Sequence, residues 1–171
     1  MSTAAPAPLP PAPLFPAPRV RRAREEDADA LAGLSRPFVH SGALRERPVS
    51  LYATRAGDFL VAQTSGGRID GCVGVRAYPS GPGEHSGPAG VLYNFCVAAH
   101  SQGRGVGAAL LRAALADARA RSLVALFAAT TGEGGLFLRY GFTPSAALPA
   151  PRSWTESLDP RRNARVLARL L

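Results

Sequence analysis

Gln102-Gly103-Arg104-Gly105-Val106-Gly107 is the stretch on which the reading of this chain turns. Before it, Val91 to Ala98 is a run of apolar, β-branched and aromatic residues without a breaker, which reads as a strand. After it, from Val106 to about Arg121, the pattern is helical. Val106, Leu110, Ala114 and Leu115 mark an apolar face, and Arg112, Asp117, Arg119 and Arg121 a polar one. A strand that feeds glycines into a helix gathers successive backbone N–H groups and a helix N-terminus around one point, and that point attracts phosphate. The glycines let a ligand approach the backbone closely, and Arg104 adds positive charge. Taken alone, such a turn also serves as a tight strand-to-helix connection.

Two nucleotide-binding classes do not fit it. A dinucleotide fold needs Gly-x-Gly-x-x-Gly near the first strand and an acidic residue about twenty positions on. Here the spacing differs, the turn falls late, and residues 121–127 read Arg-Ser-Leu-Val-Ala-Leu-Phe. A Walker loop would need Gly-Lys-Ser/Thr, and the chain has no Lys: its 20 basic residues are all Arg.

Working outward, Arg19 to Arg22 reads as a short strand. Glu25, Glu26 and Asp27 open a helix whose apolar face continues through Ala30, Leu31 and Leu34 to Arg36-Pro37, where proline disturbs it. A less regular segment runs to Arg55. Asp58 to Thr64 and Arg68 to Tyr78, separated by Ser65-Gly66-Gly67, form a hairpin signal, and a Gly/Pro-rich loop extends from Pro79 to Gly90. Leu123 to Ala129 reads as a buried strand and Phe137 to Tyr140 as a short helix ended by Gly141. The tail from Ser145 ends in a segment, Asp159 to Leu167, that closes as a last strand. This order describes a single mixed α/β domain.

Composition agrees. The 171 residues suffice for one domain with its own core. Hydrophobic residues make up 46% without a run of membrane-spanning length, so a cytoplasmic protein with no membrane association is expected. Residues 1–18 are almost entirely Ala, Pro, Leu and Ser/Thr and read as a disordered tail of polyproline character, with the domain in 19–171. Cys72 and Cys96 fall in apolar β-type runs and read as reduced core residues, and no Cys/His cluster has metal-ligand spacing. The net charge of +8 suits an anionic cofactor, an acidic substrate or an acidic carrier protein. Nucleic acid is not expected, because the arginines are scattered and no aromatic residues interleave them.

The glycine turn resembles the acyl-CoA signature of the GNAT acetyltransferases, Gln/Arg-x-x-Gly-x-Gly/Ala, through Gln102, Gly105 and Gly107. Phe95-Cys96-Val97 is similar to the strand end before it, and Phe137-Leu138-Arg139-Tyr140-Gly141-Phe142 to the family's later Phe-x-x-x-Gly-Phe segment. Within the family, the resemblance is strongest to the acetyltransferase domain of N-acetylglutamate synthases. Arg36-Pro37, the strand Gly71-Cys72-Val73-Gly74-Val75-Arg76, the paired hydroxyls Thr130-Thr131 and Arg162-Asn163-Ala164-Arg165-Val166-Leu167 carry it.

The resemblance implies a mostly antiparallel, twisted sheet with splayed central strands flanked by helices, and acetyl-CoA as co-substrate. Phe95, Cys96, Val97, Gln102, Gly103, Arg104, Gly105, Val106 and Gly107 would hold the CoA. Arg36, Arg76, Thr130 and Arg162 would hold glutamate or a similar acidic amino acid, since Arg grips carboxylates bidentately with charge-assisted hydrogen bonds. A homodimer is compatible with it. The tail stands where long synthases carry a kinase-like domain, so arginine feedback through such a domain is not expected.

The pattern breaks in three places. Val91 stands where many relatives carry a Glu that draws off the amine's proton. Phe137 replaces a Tyr used as acid outside the synthase group. Ala164 replaces a Ser that helps hold the carboxylate. Candidate substitutes for the missing base are Tyr93, His100, Glu84 and His85. These departures leave open another amine acceptor, a carrier-bound acyl donor, or a non-catalytic sensor of acyl-CoA or an amino acid.

Overall fold

A computed structural model describes residues 17–64, 66–83 and 87–171. The tail as far as residue 16, Ser65 of the hairpin turn, and the base candidates Glu84 and His85 lie outside the described residues. Seven strands form one sheet: β1 (Arg19–Arg22), β2 (Phe59–Gln63), β3 (Ile69–Tyr78), β4 (Ala89–Val97), β5 (Ala125–Thr130), β6 (Thr143–Pro144) and β7 (Arg165–Leu170). Their spatial order is β1-β2-β3-β4-β5-β7-β6, and every pairing is antiparallel except β4 with β5. Helices α1 (Ala28–His40), α2 (Val49–Thr54), α3 (Val106–Ala120), α4 (Gly135–Arg139) and α5 (Arg152–Thr155) flank it.

Period-two alternation along the strands divides the core between the two faces. On one face Val73, Val75, Leu92 and Leu126 meet Leu110, Leu111, Ala114 and Leu115 of α3. Burying such a side chain contributes roughly 1.5–3 kcal/mol. On the other, Phe59, Val61, Cys72 and Cys96 pack under Leu31 of α1 and Tyr52 of α2. A third cluster sets Val91 and Phe127 against Trp154 of α5.

The helices depart from expectation where local rules lose to packing. Pro37 does not end α1: its missing N–H falls in the last turn, and Phe38 beyond it still packs against the α1–α2 core. Gly42, at φ 79°, turns the chain out instead. The segment before Arg55 contains α2, opened by Pro48 and held by buried Tyr52. The last strand runs later than expected, to Leu170, after a 3-10 turn at Pro160–Arg162.

Candidate active site

The central strands separate because β4 bulges. Pairing between β3 and β4 jumps from Cys72↔Cys96 to Gly74↔Tyr93, so Asn94 and Phe95 together stand opposite Val73. Asn94 sits at φ 49°, a left-handed conformation that Asn tolerates better than most residues. Its buried side chain anchors the bulge to both neighbouring helices. Nδ2 donates to Ser35 Oγ at 2.8 Å, and Oδ1 accepts from Tyr52 Oη at 3.2 Å and from an Arg47 Nη at 3.3 Å. Below the bulge, β4 and β5 pair only over Ala89↔Ala125, Gly90↔Leu126 and Val91↔Phe127. Beyond Val91 the β5-facing edge of β4 looks into a wedge rather than onto a strand.

At the wedge's far end stands the glycine turn. Gly103 and Gly105 have φ 75° and 82°, and nothing lies within 4 Å of where a Cβ would sit on either. Helix α3 makes its first bond from Ala109 N–H to Gly105 carbonyl (3.0 Å), so the N–H groups before it face outward with the positive end of the helix dipole. Gln102 donates through Nε2 to the Val97 carbonyl at 2.9 Å and ties the turn to the end of β4. Gly107 serves close packing instead, since a Cβ there would meet Leu136 at 3.3 Å. The backbone donors and the dipole fit a pyrophosphate, and the open strand edge fits an amide-bearing pantetheine arm.

A cavity of about 780 Å³ opens from the wedge on the α1–α2 side. Arg76, Thr130, Arg162, Tyr93 and Phe95 line it, from four separate places in the sequence. Arg76 lies over the Tyr78 ring (5.2 Å to its centroid). Arg162 donates from Nη2 to the carbonyls of Gly42 and Ala43, at 2.8 and 2.6 Å, and so clamps the α1–α2 connection. Thr130 Oγ1 accepts from Gly132 N–H at 3.2 Å.

Other residues singled out from the sequence have their side chains elsewhere. Arg36 is exposed on α1 and does not line the cavity. Its neighbour Ser35 is the one aimed at Asn94, which turns Arg36 roughly 100° away round the helix. Cys96 is buried with its thiol 3.8 Å from that of Cys72, and both are free. His100 sits among charged side chains beside the start of β3, with Nε2 3.2 Å from Asp70 and 2.8 Å from Arg68. Burial opposes ionisation of Asp70, but hydrogen bonds from Arg68, Ser101 and His100 together hold its pKa below the usual carboxylate value.

Tyr93 reaches the cavity, yet its hydroxyl donates to Asp58 at 3.0 Å and its ring packs edge-on against Phe59. Burial and the Asp58 charge push its pKa well up, so it remains a phenol and is not a base near neutrality. Val91 is buried against Trp154 and Phe127.

Residues 55–144 match the family model of the GNAT acetyltransferase domain. The chain belongs to the GNAT acetyltransferase family. No curated protein sequence matches it. Among solved structures, N-acetylglutamate synthase from Neisseria gonorrhoeae, complexed with coenzyme A and N-acetyl-glutamate, superposes with a TM-score of 0.80 at 23% identity over 92% of this chain. This GNAT chain spans only 36% of that synthase. A Mycobacterium tuberculosis protein in complex with CoA gives 0.72 at 22% identity, covering 90% of this chain and 99% of that one. Ribosomal-protein-alanine N-acetyltransferase from Brucella melitensis gives 0.68 at 22% identity with the same coverage. At such identities the likeness is one of fold, and the fold is that of GNAT enzymes acting on different amines.

Asn94, Arg47 and Trp154 line this GNAT site and were missed from the sequence. A polar residue inside an apolar strand was a usable signal for Asn94. Arg47 falls in the irregular stretch before Pro48, where spacing carries no information.

Proposed function

We propose that this GNAT domain transfers the acetyl group of acetyl-CoA to the α-amine of glutamate or a similar acidic amino acid. The observation that carries the reading is that Arg76, Arg162 and Thr130, distant in sequence, line one cavity with the open edge of β4. Arginines gathered around a pocket repel one another, and an anionic ligand offsets that repulsion. The pyrophosphate of CoA belongs at the turn from Gln102 to Gly107, and its pantetheine arm along β4 from Phe95 to Val97. The amine then attacks the thioester carbonyl, the carbon–sulfur bond breaks, and the leaving thiolate takes up, through water, the proton that the amine nitrogen sheds. Backbone N–H groups at the bulge would stabilise the oxygen that gains charge.

No histidine lines the cavity among the described residues, and its carboxylates are Glu46 and Asp159. Asp159 is committed to Arg161, with which it pairs at 3.2 Å. On this reading the amine enters as its neutral fraction, and positioning supplies the acceleration. On this account kcat/KM for the amine rises about tenfold per pH unit below the amine's own pKa, without a second limb from an enzyme base.

The test is thiol release from acetyl-CoA with a panel of amino acids. Glutamate or a close acidic relative is expected to exceed neutral amino acids by at least tenfold. Folded protein that binds CoA but releases no thiol with any amino acid contradicts the reading and favours a sensor. The net charge of +8 also suits an acidic acyl carrier as donor. Faster transfer from acetyl-carrier than from acetyl-CoA decides for that donor.

A further inference from the structure

Arg47 is an arginine in direct contact with the bulge. Its guanidinium donates to the Arg45 carbonyl at 3.1 Å and to Asn94 Oδ1 at 3.3 Å, and it stacks over the Tyr93 ring at 5.4 Å from the centroid. No carboxylate of the described residues pairs with it. This differs from the paired arginines elsewhere, such as Arg21 with Asp27 and Arg121 with Asp117. Arg47 is partly buried in the cavity wall, and burial lowers its pKa from the ordinary value. The nearby charges of Arg45 and Arg162 act in the same direction, and the aromatic hydroxyls of Tyr52 and Tyr93 oppose them. A guanidinium has five N–H donors, so the two acceptors present leave others for a ligand.

Position separates its task from that of Arg76. Arg76 pairs in register with Val91, at the closed end of the wedge, whereas Arg47 contacts Asn94, three residues further along β4. Three residues of strand correspond to roughly 10 Å. The reacting amine must come up to the bulge, where the β4 edge is open. In an α-amino acid one carboxylate is attached to the carbon that bears that amine.

The geometry points to Arg47 as the residue that binds the acceptor's α-carboxylate, leaving the side-chain carboxylate to an arginine farther from the bulge. This rests on the acidic amino-acid reading above and adds to it a requirement for the α-carboxylate. The chemistry is a charge-assisted pair between guanidinium and carboxylate inside a partly desolvated wall. Arg47 thereby acts as a specificity determinant between amino acids and simple amines.

The test compares L-glutamate with 4-aminobutyrate, which keeps the amine and the distal carboxylate but lacks the α-carboxylate. Wild type, R47Q and R47K are assayed with acetyl-CoA, with R119Q on the outer face of α3 as a control. R47Q is expected to lower kcat/KM for glutamate by about 10- to 100-fold, leaving 4-aminobutyrate and the KM for acetyl-CoA within about twofold. R47K should recover part of the loss. An equal fall for both acceptors, or a rise in the KM for acetyl-CoA, overturns the proposal, because Arg47 then only props the bulge.

Calorimetric titration of the same two acceptors in the presence of CoA repeats the comparison without turnover. Should no thiol be released while glutamate binds and R47Q abolishes its advantage over 4-aminobutyrate, the acetyl-transfer reading fails and the Arg47 assignment stands. Glutamate binding insensitive to R47Q, or no glutamate binding by wild type, overturns the assignment.

Discussion

Asn94 shows how one side chain connects backbone strain to a site. Its left-handed φ requires a residue that tolerates that region, and its amide must satisfy Ser35, Tyr52 and Arg47 together. Alanine keeps the strained φ and leaves buried hydroxyls short of a partner. N94A is expected to lose about 2–4 kcal/mol by urea unfolding, with activity falling further than stability explains. Tyr93 makes the complementary case. Because its pKa is raised, the phenol stays protonated through the neutral range, and it titrates only at a pH above that of an ordinary tyrosine. Y93F should therefore keep the shape of the pH–rate profile between pH 6 and 9. Loss of a limb from that profile would make Tyr93 an acid–base group after all.

At this scale the sequence was half legible. Arg76, Arg162 and Thr130, drawn from family motifs that fix strand and turn positions, line the cavity. Arg36 was drawn from the same resemblance but faces outward on α1, while Arg47 lies in a loop with no periodicity to read.

Among the elements, β4 determines most of the site's geometry, and two glycines test its two ends separately. A Cβ at Gly74 would come within 2.5–2.8 Å of three Tyr93 ring atoms. That ring is held by Phe59, Asp58 and Arg47, so it cannot yield without moving the acceptor wall. G74A should raise the KM for the amine acceptor several-fold and leave that for acetyl-CoA unchanged. Gly105, at φ 82°, has open space but a backbone that Ala adopts only at a cost of about 1–2 kcal/mol. G105A should do the reverse, raising the KM for acetyl-CoA while sparing the acceptor. Equal effects on both substrates from either variant would mean that the turn and the cavity are not separable sites.

The strand and helix that bracket Gly103 and Gly105 were legible because period-two and period-3.6 patterns are strong there. The bulge was not, since a shift of register leaves no mark on hydrophobic alternation when both faces of a strand are buried. The sequence likewise hid α2, whose six residues are too few to display a helical period and are stabilised by Tyr52 in the core.

For the whole molecule, the sheet separates a well-packed side under α3 from a side that opens around the wedge. Charge placement adds a pH dependence. Asp27 accepts from Arg21 at 2.8 and 3.0 Å and from Arg24 N–H at 2.8 Å, and the Arg21 bonds foremost hold its pKa below the ordinary carboxylate value. A carboxylate with a depressed folded-state pKa stabilises the fold above its unfolded pKa of about 4, and that stability is lost as pH falls through the folded value. Thermal unfolding followed from pH 6 to 2 should show a drop in Tm below pH 4. D27N should start lower and fall less over that range, and an unchanged slope would remove Asp27 from the account. No helix among the described residues is long and apolar enough to cross a membrane.

The measurement that bears most directly on the whole account is a crystal structure of this GNAT domain with CoA and N-acetyl-L-glutamate. The pyrophosphate is expected on the N–H groups between Gly103 and Gly107, and the pantetheine along β4 past Val91. One carboxylate is expected on Arg47 and the other on Arg76 or Arg162. CoA bound away from the wedge, or both carboxylates in solvent with the arginines unengaged, would contradict this placement.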